Sequence, residues 1–177
     1  ARYVCAPPIR AKEEQAHLWR GLKRGLIQTV NTDHCAFTLE QKEMGREDFT
    51  KIPGGLPGVE ARGELLYSYG VAKKKIALPT MCQVLSENPA KLYGLYPRKG
   101  VIRAGSDADI VVYDPGASHV IRGEDSVSAA GYSPYEGFVT SGGIAQVYLR
   151  GRLMAELGRI LVAEPHGKYM ARGKNSL

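Results

Sequence analysis

The sequence predicts an α/β protein in which helices and strands are largely segregated along the chain. Helix-forming patterns at residues 11–24 and 59–93 surround one short apolar run at residues 26–30, which reads as a buried strand. After residue 96 the pattern changes to β-branched runs separated by turn residues. We therefore expect a helical first part that contains one buried strand, and a β-rich second part.

The length and composition fit an ordinary globular protein with one good core, or with parts of two. Of the 177 residues, 44% are hydrophobic and 24% are charged. No stretch approaches the ~20 apolar residues of a membrane span, and residues 1–10 lack the three regions of a signal peptide. These features predict a cytoplasmic protein that does not contact a membrane.

Neither the charge nor the cysteines indicate a specialised class of protein. The net charge is +6, but the lysine-rich runs at residues 73–75 and 168–174 lack the repeated aromatic interleaving of a platform for single-stranded nucleic acid and match no nucleic-acid-binding signature. We expect solvated basic faces and no nucleic-acid partner. Cys5, Cys35 and Cys82 are odd in number and lack a CxxC spacing, so we expect three reduced, structural thiols.

Four helices and one strand are expected before residue 96. Gly25 is placed to end the first helix, and Asn88 to cap the last helix with Pro89 in its first turn. The segment between residues 31 and 58 has little hydrophobic period, and loops of this length are usually functional or disordered. The expected helices are residues 11–24, 59–72, 78–86 and 89–93, and the expected strand is residues 26–30.

The second part should be an incomplete sheet. Residues 108–113 form a β-branched run that Asp114-Pro115 stops, and residues 145–162 hold two strands with a hairpin turn at Gly151-Arg152 and another turn at Gly158. A sheet of this size has exposed edges that need to be covered. We therefore expect strands from outside these residues to pair with it.

Asp33 is the first candidate functional residue. It lies in "VNTDHCAFT", directly after the predicted strand. An aspartate there fits a metal ligand and proton carrier, but an aspartate after a strand is more commonly a cap or turn residue in an ordinary loop. The residues alone leave both interpretations open.

Several long motifs occur together in one order. They are "YVCAPPIR", "TDHCAF", "QKEMGREDFTKIPGGLPGVEARGELLYSYGVA", "ENPAKLYGLYPRKGVIRAGSDADIVVYDP" and "YSPYEG". From Arg2 to about Glu164 the chain resembles the C-terminal portion of dihydropyrimidinases and D-hydantoinases, in the cyclic amidohydrolase superfamily. The resemblance implies the C-terminal part of a metal-dependent-hydrolase (β/α)8 TIM barrel in residues 1–95, strands of a flanking β-sandwich in residues 96–164, and a C-terminal tail in residues 165–177.

The resemblance also implies a reaction. Members of the family hydrolyse the cyclic amide bond of dihydropyrimidines or 5-substituted hydantoins to N-carbamoyl amino acids, with two metal ions, usually zinc. Asp33 falls on the family's aspartate, which ligates one metal and carries a proton from the attacking water to the leaving nitrogen. His34 inherits no such role and is expected to be a hydrogen-bonding structural residue, and His17, His119 and His166 are expected to be structural as well.

Two substrate-binding positions depart from the family pattern. Ala6, in "CAPP", stands where the family has a serine that contacts the substrate ring. Gly54, in "IPGGLPG", stands where many members have asparagine, whose contact with the ring is made by backbone N–H and C=O groups that glycine also has. Taken without the family, the same "PGG" is simply a turn.

The remaining metal ligands of the family have no counterpart in the sequence. There is no HxH pair, and one aspartate cannot complete a catalytic metal site, which takes at least three protein ligands. We expect a fragment of a longer hydrolase that is inactive by itself; the alternative is a non-catalytic dihydropyrimidinase-like scaffold or interaction protein. The expected partners are a small cyclic ureide and further copies of the chain, in a homotetramer that orders the polar tail.

Overall fold

The computed structural model describes residues 1–177 and contains the expected α/β arrangement. Short helices occupy the first half, and one antiparallel sheet lies in the second half. None of the helices has the length and apolar character that crossing a membrane requires. The α-helices are α1 (Glu14–Lys23), α2 (Leu39–Glu43), α3 (Arg62–Leu66), α4 (Leu78–Cys82) and α5 (Asn88–Leu92). Two π-helical turns, Tyr67–Val71 and Gln83–Glu87, and two 3-10 turns, Phe49–Lys51 and Gly123–Asp125, complete the helical elements.

The core lies between α1 and the helices of residues 62–92. It consists of buried apolar side chains, with Trp19, Ile27 and Val30 packed against them. Gly25 follows α1 at a φ of +69°, a conformation that glycine adopts without steric cost, so the predicted end of this helix is confirmed. The buried members of the core are Leu22, Leu66, Ile76, Met81 and Val84.

The two helices expected at residues 78–86 and 89–93 are one continuous helix. α4 runs through the π-helical turn Gln83–Glu87 into α5, and Asn88 lies inside the helix, where its N–H donates to the carbonyl oxygen of Gln83. The prediction that Asn88 begins a separate helix is therefore wrong. Pro89 has no N–H to donate, so the helical hydrogen-bond ladder is interrupted next to this π-turn.

The strand predicted at residues 26–30 does not form a ladder. Its backbone N–H groups bond to other elements: Leu26 donates to the carbonyl oxygen of Gly21, and Val30 donates to that of Val84 over 3.1 Å. The segment is only partly buried: Ile27 and Val30 pack on the core, whereas Leu26 is 74% exposed. A parallel strand also needs neighbouring strands, and none lies beside it within these 177 residues.

The segment between residues 31 and 58 contains more regular structure than expected. Thr38 and Gln41 form a capping box at the start of α2: the Gln41 N–H donates to Thr38 Oγ1, and the Thr38 N–H donates to Gln41 Oε1. The sequence "TLEQ" carries this signature, which is independent of hydrophobic period. Asp48 caps the following 3-10 turn by accepting from the N–H of Thr50.

The sheet has four antiparallel strands in the order of the chain. They are β1 (Ile110–Asp114), β2 (Gly143–Leu149), β3 (Arg152–Glu156) and β4 (Arg159–Ile160). Both hairpins turn on two residues with positive φ, as in type I′ turns. The first turn is Arg150-Gly151, one residue earlier than expected, and the second is Leu157-Gly158, which includes the predicted Gly158.

Two side chains of α3 and its continuation tie the sheet to the helical part. Glu64 accepts the N–H of Ile144 at the start of β2 over 3.2 Å, and Ser68 accepts the N–H of Ser141 over 2.9 Å. Ser68 is buried, so this hydrogen bond is shielded from water. The helices therefore position the sheet through specific polar contacts.

The C-terminal tail contacts the helical part of its own chain. The N–H of Gly173 donates to the carbonyl oxygen of Gly94 over 3.0 Å, and the N–H of Ser176 donates to that of Lys91 over 3.1 Å. Lys91 belongs to the last turn of α5, where carbonyl groups lack partners within the helix. The tail was expected to find partners only in a neighbouring subunit, and these two hydrogen bonds within the chain were not predicted.

Candidate functional site

Three chain segments that are distant in sequence meet around the predicted site residues. The N–H of Gly55 donates to the carbonyl oxygen of Val4 over 3.2 Å, and the N–H of Cys35 donates to that of Leu56 over 3.1 Å. His34 and Leu56 also form an isolated parallel β-bridge. The segments at residues 4–6, 33–37 and 53–58 therefore form one cluster of loops, which we call the three-loop cluster.

The structure brings the two predicted substrate-binding residues into contact. A Cβ atom built on Gly54 lies 3.6 Å from the backbone nitrogen of Ala6 and 3.7 Å from its Cβ, and both residues are exposed. These are ordinary van der Waals distances, so the chain leaves room for a Cβ atom at position 54. The neighbouring Gly55 differs, because a Cβ there would lie 2.6 Å from the carbonyl oxygen of Cys35.

Asp33 occupies the middle segment of the cluster in an unusual conformation. Its φ is +46°, in the left-handed region, where aspartate is found more often than most other residues. The side chain is exposed, and its carboxylate accepts no hydrogen bond from the rest of the chain. A carboxylate held in this way is chemically free to ligate a metal or to carry a proton.

His34 holds the Asp33 segment to the loop at residues 53–58. Its Nδ1 atom accepts the backbone N–H of Gly58 over 3.1 Å and that of Val59 over 3.3 Å. These two bonds fasten the imidazole ring, through Nδ1, to the backbone of residues 58 and 59. The hydrogen-bonding role expected of His34 agrees with this geometry.

Lys42 is a member of the site that the sequence reasoning missed. Its side chain is fully buried, and its ammonium donates to the carbonyl oxygen of Val4 over 2.8 Å and to that of Pro53 over 2.7 Å. The Phe37 ring centroid lies 5.6 Å from Nζ. Burial lowers the pKa of Lys42 below its usual range. The sequence contains no signal for this role, because a lysine in a short polar helix is normally solvated.

A tyrosine-rich loop from the second half of the chain packs next to the three-loop cluster. Tyr132, in the motif "YSPYEG", is buried and donates its hydroxyl to the carbonyl oxygen of Arg2 over 3.4 Å, near the first segment. A cavity of about 130 Å³ lies beside this loop, lined by His34, Gly58 and Tyr135 among others. Burial raises the pKa of both tyrosines. The motif therefore contributes packing around the cluster.

The residues of this chain do not form a complete metal centre by themselves. No three histidine, cysteine, aspartate or glutamate side chains come together at ligand distances. The other histidines have different partners: His17 bonds to Arg20, His119 bonds to Thr140, and His166 bonds to the carbonyl oxygen of Glu164. All three cysteines are free, as expected. Cys35 and Cys82 are exposed, however, so the expectation of buried structural thiols does not hold for these two.

Sequence and structure comparisons point to the same relatives. A profile described as the amidohydrolase family matches residues 4–154. The D-hydantoinase of Streptomyces coelicolor is 44% identical over 173 residues, which cover 97% of this chain and 37% of that protein. The dihydropyrimidinase structure from Brevibacillus agri superimposes with a TM-score of 0.88 at 43% identity, over 90% of this chain and 35% of that one. A D-hydantoinase (dihydropyrimidinase) structure from a Thermus species gives a TM-score of 0.91 at 41% identity, over 97% of this chain and 37% of that one.

These comparisons confirm the resemblance seen in the motifs. The chain spans about 37% of the length of the relatives it matches. The family match itself covers 151 of the 177 residues, from residue 4 to residue 154. The chain therefore belongs to the amidohydrolase family.

Proposed function

We propose that the chain is the C-terminal part of a metal-dependent cyclic amidohydrolase of the dihydropyrimidinase or hydantoinase type. The complete protein would hydrolyse the ring of a dihydropyrimidine or a 5-substituted hydantoin to an N-carbamoyl amino acid. The observation that carries this proposal is the three-loop cluster, which joins Ala6, Gly54 and the Asp33 segment across nearly 50 residues of sequence. The names of the relatives, D-hydantoinase and dihydropyrimidinase, support the same reaction.

The proposed architecture is the last part of a (β/α)8 TIM barrel in residues 1–95, followed by strands of a β-sandwich in residues 96–164. The parallel bridge between His34 and Leu56 supports a barrel, since barrel strands are parallel. The antiparallel sheet of β1 to β4 supports the sandwich, and its outer strands offer edges for further pairing. The missing neighbours of residues 26–30 would then be barrel strands from the rest of the protein.

Asp33 is the proposed metal ligand and proton carrier. Two metal ions, usually zinc in the family, would supply a hydroxide equivalent at neutral pH when bound. The Asp33 carboxylate would accept the proton of the attacking water and deliver it to the ring nitrogen as the amide bond breaks. Its exposed and unpartnered position supports this role, because no other group of the chain competes for its oxygens.

Ala6 and Gly54 are the proposed contacts to the ring. Gly54 would use its backbone groups, which asparagine and glycine share, so the departure from the family leaves the contact intact. Ala6 lacks the hydroxyl of the family's serine, which removes one hydrogen bond of net ~0.5 to 1.5 kcal/mol. We therefore expect weaker substrate binding or an altered specificity at this position, with hydrolysis retained.

We also infer a cytoplasmic homotetramer, with the tail of residues 165–177 at an interface between subunits. The tail is polar, and its largest apolar side chain, Tyr169, is 94% exposed in the single chain. A large exposed aromatic side chain is a suitable anchor on another subunit. Deleting residues 165–177 from the complete protein and measuring its mass in solution tests this, and an unchanged oligomer would contradict it.

The decisive experiment uses the complete protein that contains this chain. Ring opening of hydantoin and of dihydrouracil is followed with purified protein before and after metal removal by a chelator. Metal-dependent release of the N-carbamoyl product supports the proposal. The isolated 177-residue chain is the control and should be inactive, because it offers a single metal ligand.

The absence of a serine hydroxyl at Ala6 favours a second candidate, a non-catalytic scaffold of the same family. That candidate predicts a stable oligomer without ring opening under any metal supply. The upstream sequence separates the two candidates, because an HxH pair and a barrel lysine are required for the metal centre. A complete protein without these ligands would replace the enzyme proposal with the scaffold.

A further inference from the structure

Lys42 is a buried cation without a carboxylate partner. Its side chain is 0% exposed, and its two hydrogen bonds go to the backbone carbonyl groups of Val4 and Pro53. Burying a charge is unfavourable unless it is well solvated by protein groups, and neutral carbonyl groups compensate it less than a carboxylate would. An apolar side chain of similar length would fill the same space without this cost. Packing alone therefore does not account for a lysine at this position.

The two carbonyl groups belong to the backbone that carries the ring contacts. Pro53 directly precedes Gly54, and Val4 lies two residues before Ala6. The carbonyl oxygen of Val4 also accepts the N–H of Gly55, so Lys42 closes a small network that links the first and third segments of the three-loop cluster. Lys42 is the side chain that joins these two segments directly.

Lys42 fixes the direction of the Gly54 N–H through the Pro53–Gly54 peptide bond. This bond is trans, and in a trans peptide the C=O and N–H groups point to opposite sides. Because Lys42 holds the carbonyl of Pro53 from the buried side, the N–H of Gly54 points to the opposite, exposed side. That N–H has no hydrogen-bond partner within the chain.

A cation on the carbonyl also changes the strength of the N–H as a donor. A hydrogen bond to the oxygen of a peptide group polarises that group, which makes its N–H a better donor, and a charged partner does so more strongly than a neutral one. The effect is largest where water is excluded, as it is around the Lys42 ammonium. Gly54 therefore presents an oriented and polarised N–H beside Ala6.

We propose that Lys42 is a positioning residue that aims and strengthens the Gly54 N–H as a hydrogen-bond donor to a ring carbonyl of the cyclic substrate. This inference rests on the proposed function, because it needs a ring bound at Gly54. Lys42 itself does not reach the substrate: it is fully buried, and its ammonium is held by the two backbone carbonyl oxygens. A role as a proton acceptor from the substrate is excluded by the same burial.

The test compares substitutions of Lys42 in the complete protein. Lys42→Met keeps the length of the side chain and removes its charge and its hydrogen-bond donors. Lys42→Arg keeps the charge and the donors. The matched control is Lys51→Met, since Lys51 lies in the same segment but is exposed and forms only a 3.7 Å ion pair with Asp48. For each protein, KM and kcat for hydantoin, bound metal per subunit and the thermal unfolding midpoint are measured.

We expect Lys42→Met to raise KM about 10- to 100-fold, the range for losing a charge-assisted interaction. Bound metal should stay unchanged, because Asp33 does not contact Lys42, and kcat should change by less than KM. Lys42→Arg should give an intermediate KM, and Lys51→Met should equal the unsubstituted protein. A folded Lys42→Met protein with unchanged KM overturns the inference. A loss of activity that is fully explained by a lower metal content or by unfolding also overturns it.

Two further results separate this inference from the proposed function. If Lys42→Met does not fold, Lys42→Arg decides, since its altered donor geometry should still raise KM, and an unchanged KM overturns the inference. If the unsubstituted protein binds hydantoin in calorimetry without hydrolysing it, the enzyme proposal fails, and the same variants are compared by Kd. A protein that neither hydrolyses nor binds hydantoin overturns both.

Discussion

The side-chain amide of Asn88 donates hydrogen bonds to two oxygens of Gln28, the backbone carbonyl at 2.9 Å and the side-chain oxygen at 3.1 Å. Next to this pair, the N–H of Val30 donates to the carbonyl of Val84 in the π-helical turn. These bonds attach the segment that precedes Asp33 to a helix instead of to a neighbouring strand. The position of Asp33 in this chain therefore depends on the helix of residues 78–92.

Replacing Asn88 should loosen this attachment. Asn88→Ala removes two hydrogen bonds from a half-buried side chain, so we expect the free energy of unfolding to fall by about 1 to 2 kcal/mol. Denaturant unfolding of the variant measures the change. Gln83→Ala is the control, because Gln83 is exposed on the same helix and its amide has no partner. Equal effects of the two substitutions would contradict the assigned contact.

Adjacent substitutions at Asp33 and His34 should have different consequences for the complete protein. Asp33→Asn removes a ligand and a proton carrier, so turnover should fall by several powers of ten. His34→Asn keeps a side chain that accepts hydrogen bonds, so bound metal should be retained and turnover should fall far less. Turnover and bound metal are measured for both. An Asp33→Asn protein that keeps more than about a tenth of the activity, a loss of only ~1.4 kcal/mol, would refute the assigned role.

Neighbouring glycines of the third segment should tolerate side chains differently. Gly54→Asn places its Cβ at ordinary contact distances, the shortest being 3.6 Å, so folding and hydrolysis should be retained. Gly55→Ala places a Cβ 2.6 Å from a backbone oxygen of Cys35, so the loop must move and stability should fall by about 1 to 3 kcal/mol. Thermal unfolding together with KM distinguishes the two. A Gly55→Ala protein as stable as Gly54→Asn would show that the loops are less closely packed than the structure indicates.

The pH dependence of stability should reveal the buried ammonium of Lys42. Burial lowers its pKa in the folded protein below the ordinary value of 10.5. As pH rises from the lowered pKa towards 10.5, the folded protein releases this proton before the unfolded chain does, so the unfolded chain binds more protons and the free energy of unfolding rises. At pH values below the lowered pKa, the buried ammonium of Lys42 lowers the free energy of unfolding by a constant amount.

The comparison with Lys42→Met isolates this group from the other titrating side chains. The free energy of unfolding of the unsubstituted protein, minus that of Lys42→Met, should increase with pH across the window. Urea unfolding at a series of alkaline pH values measures the difference. A difference that is flat or falls with pH would show that the ammonium is better solvated than its burial indicates.

The sequence by itself predicted the elements whose signals are local. Gly25 ends α1 because a left-handed residue is needed there, and the positive φ of Gly151 and Gly158 matches their places in the hairpin turns. The motif around Asp33 also pointed to the family that the comparisons confirm. In each case the information lies in a few adjacent residues or in an ordered set of motifs.

The tertiary structure alone decided what depends on distant partners. Whether residues 26–30 pair as a strand depends on neighbouring strands, and their hydrogen bonds go to Gly21, Val84 and Asn88 instead. The continuity of the helix through Asn88 depends on a π-turn that helix-capping rules do not anticipate. Lys42 appears in sequence as an ordinary surface lysine, and only folding brings the carbonyls of Val4 and Pro53 to it. Burial and partner choice are set by contacts across the chain, so the composition of a local segment does not determine them.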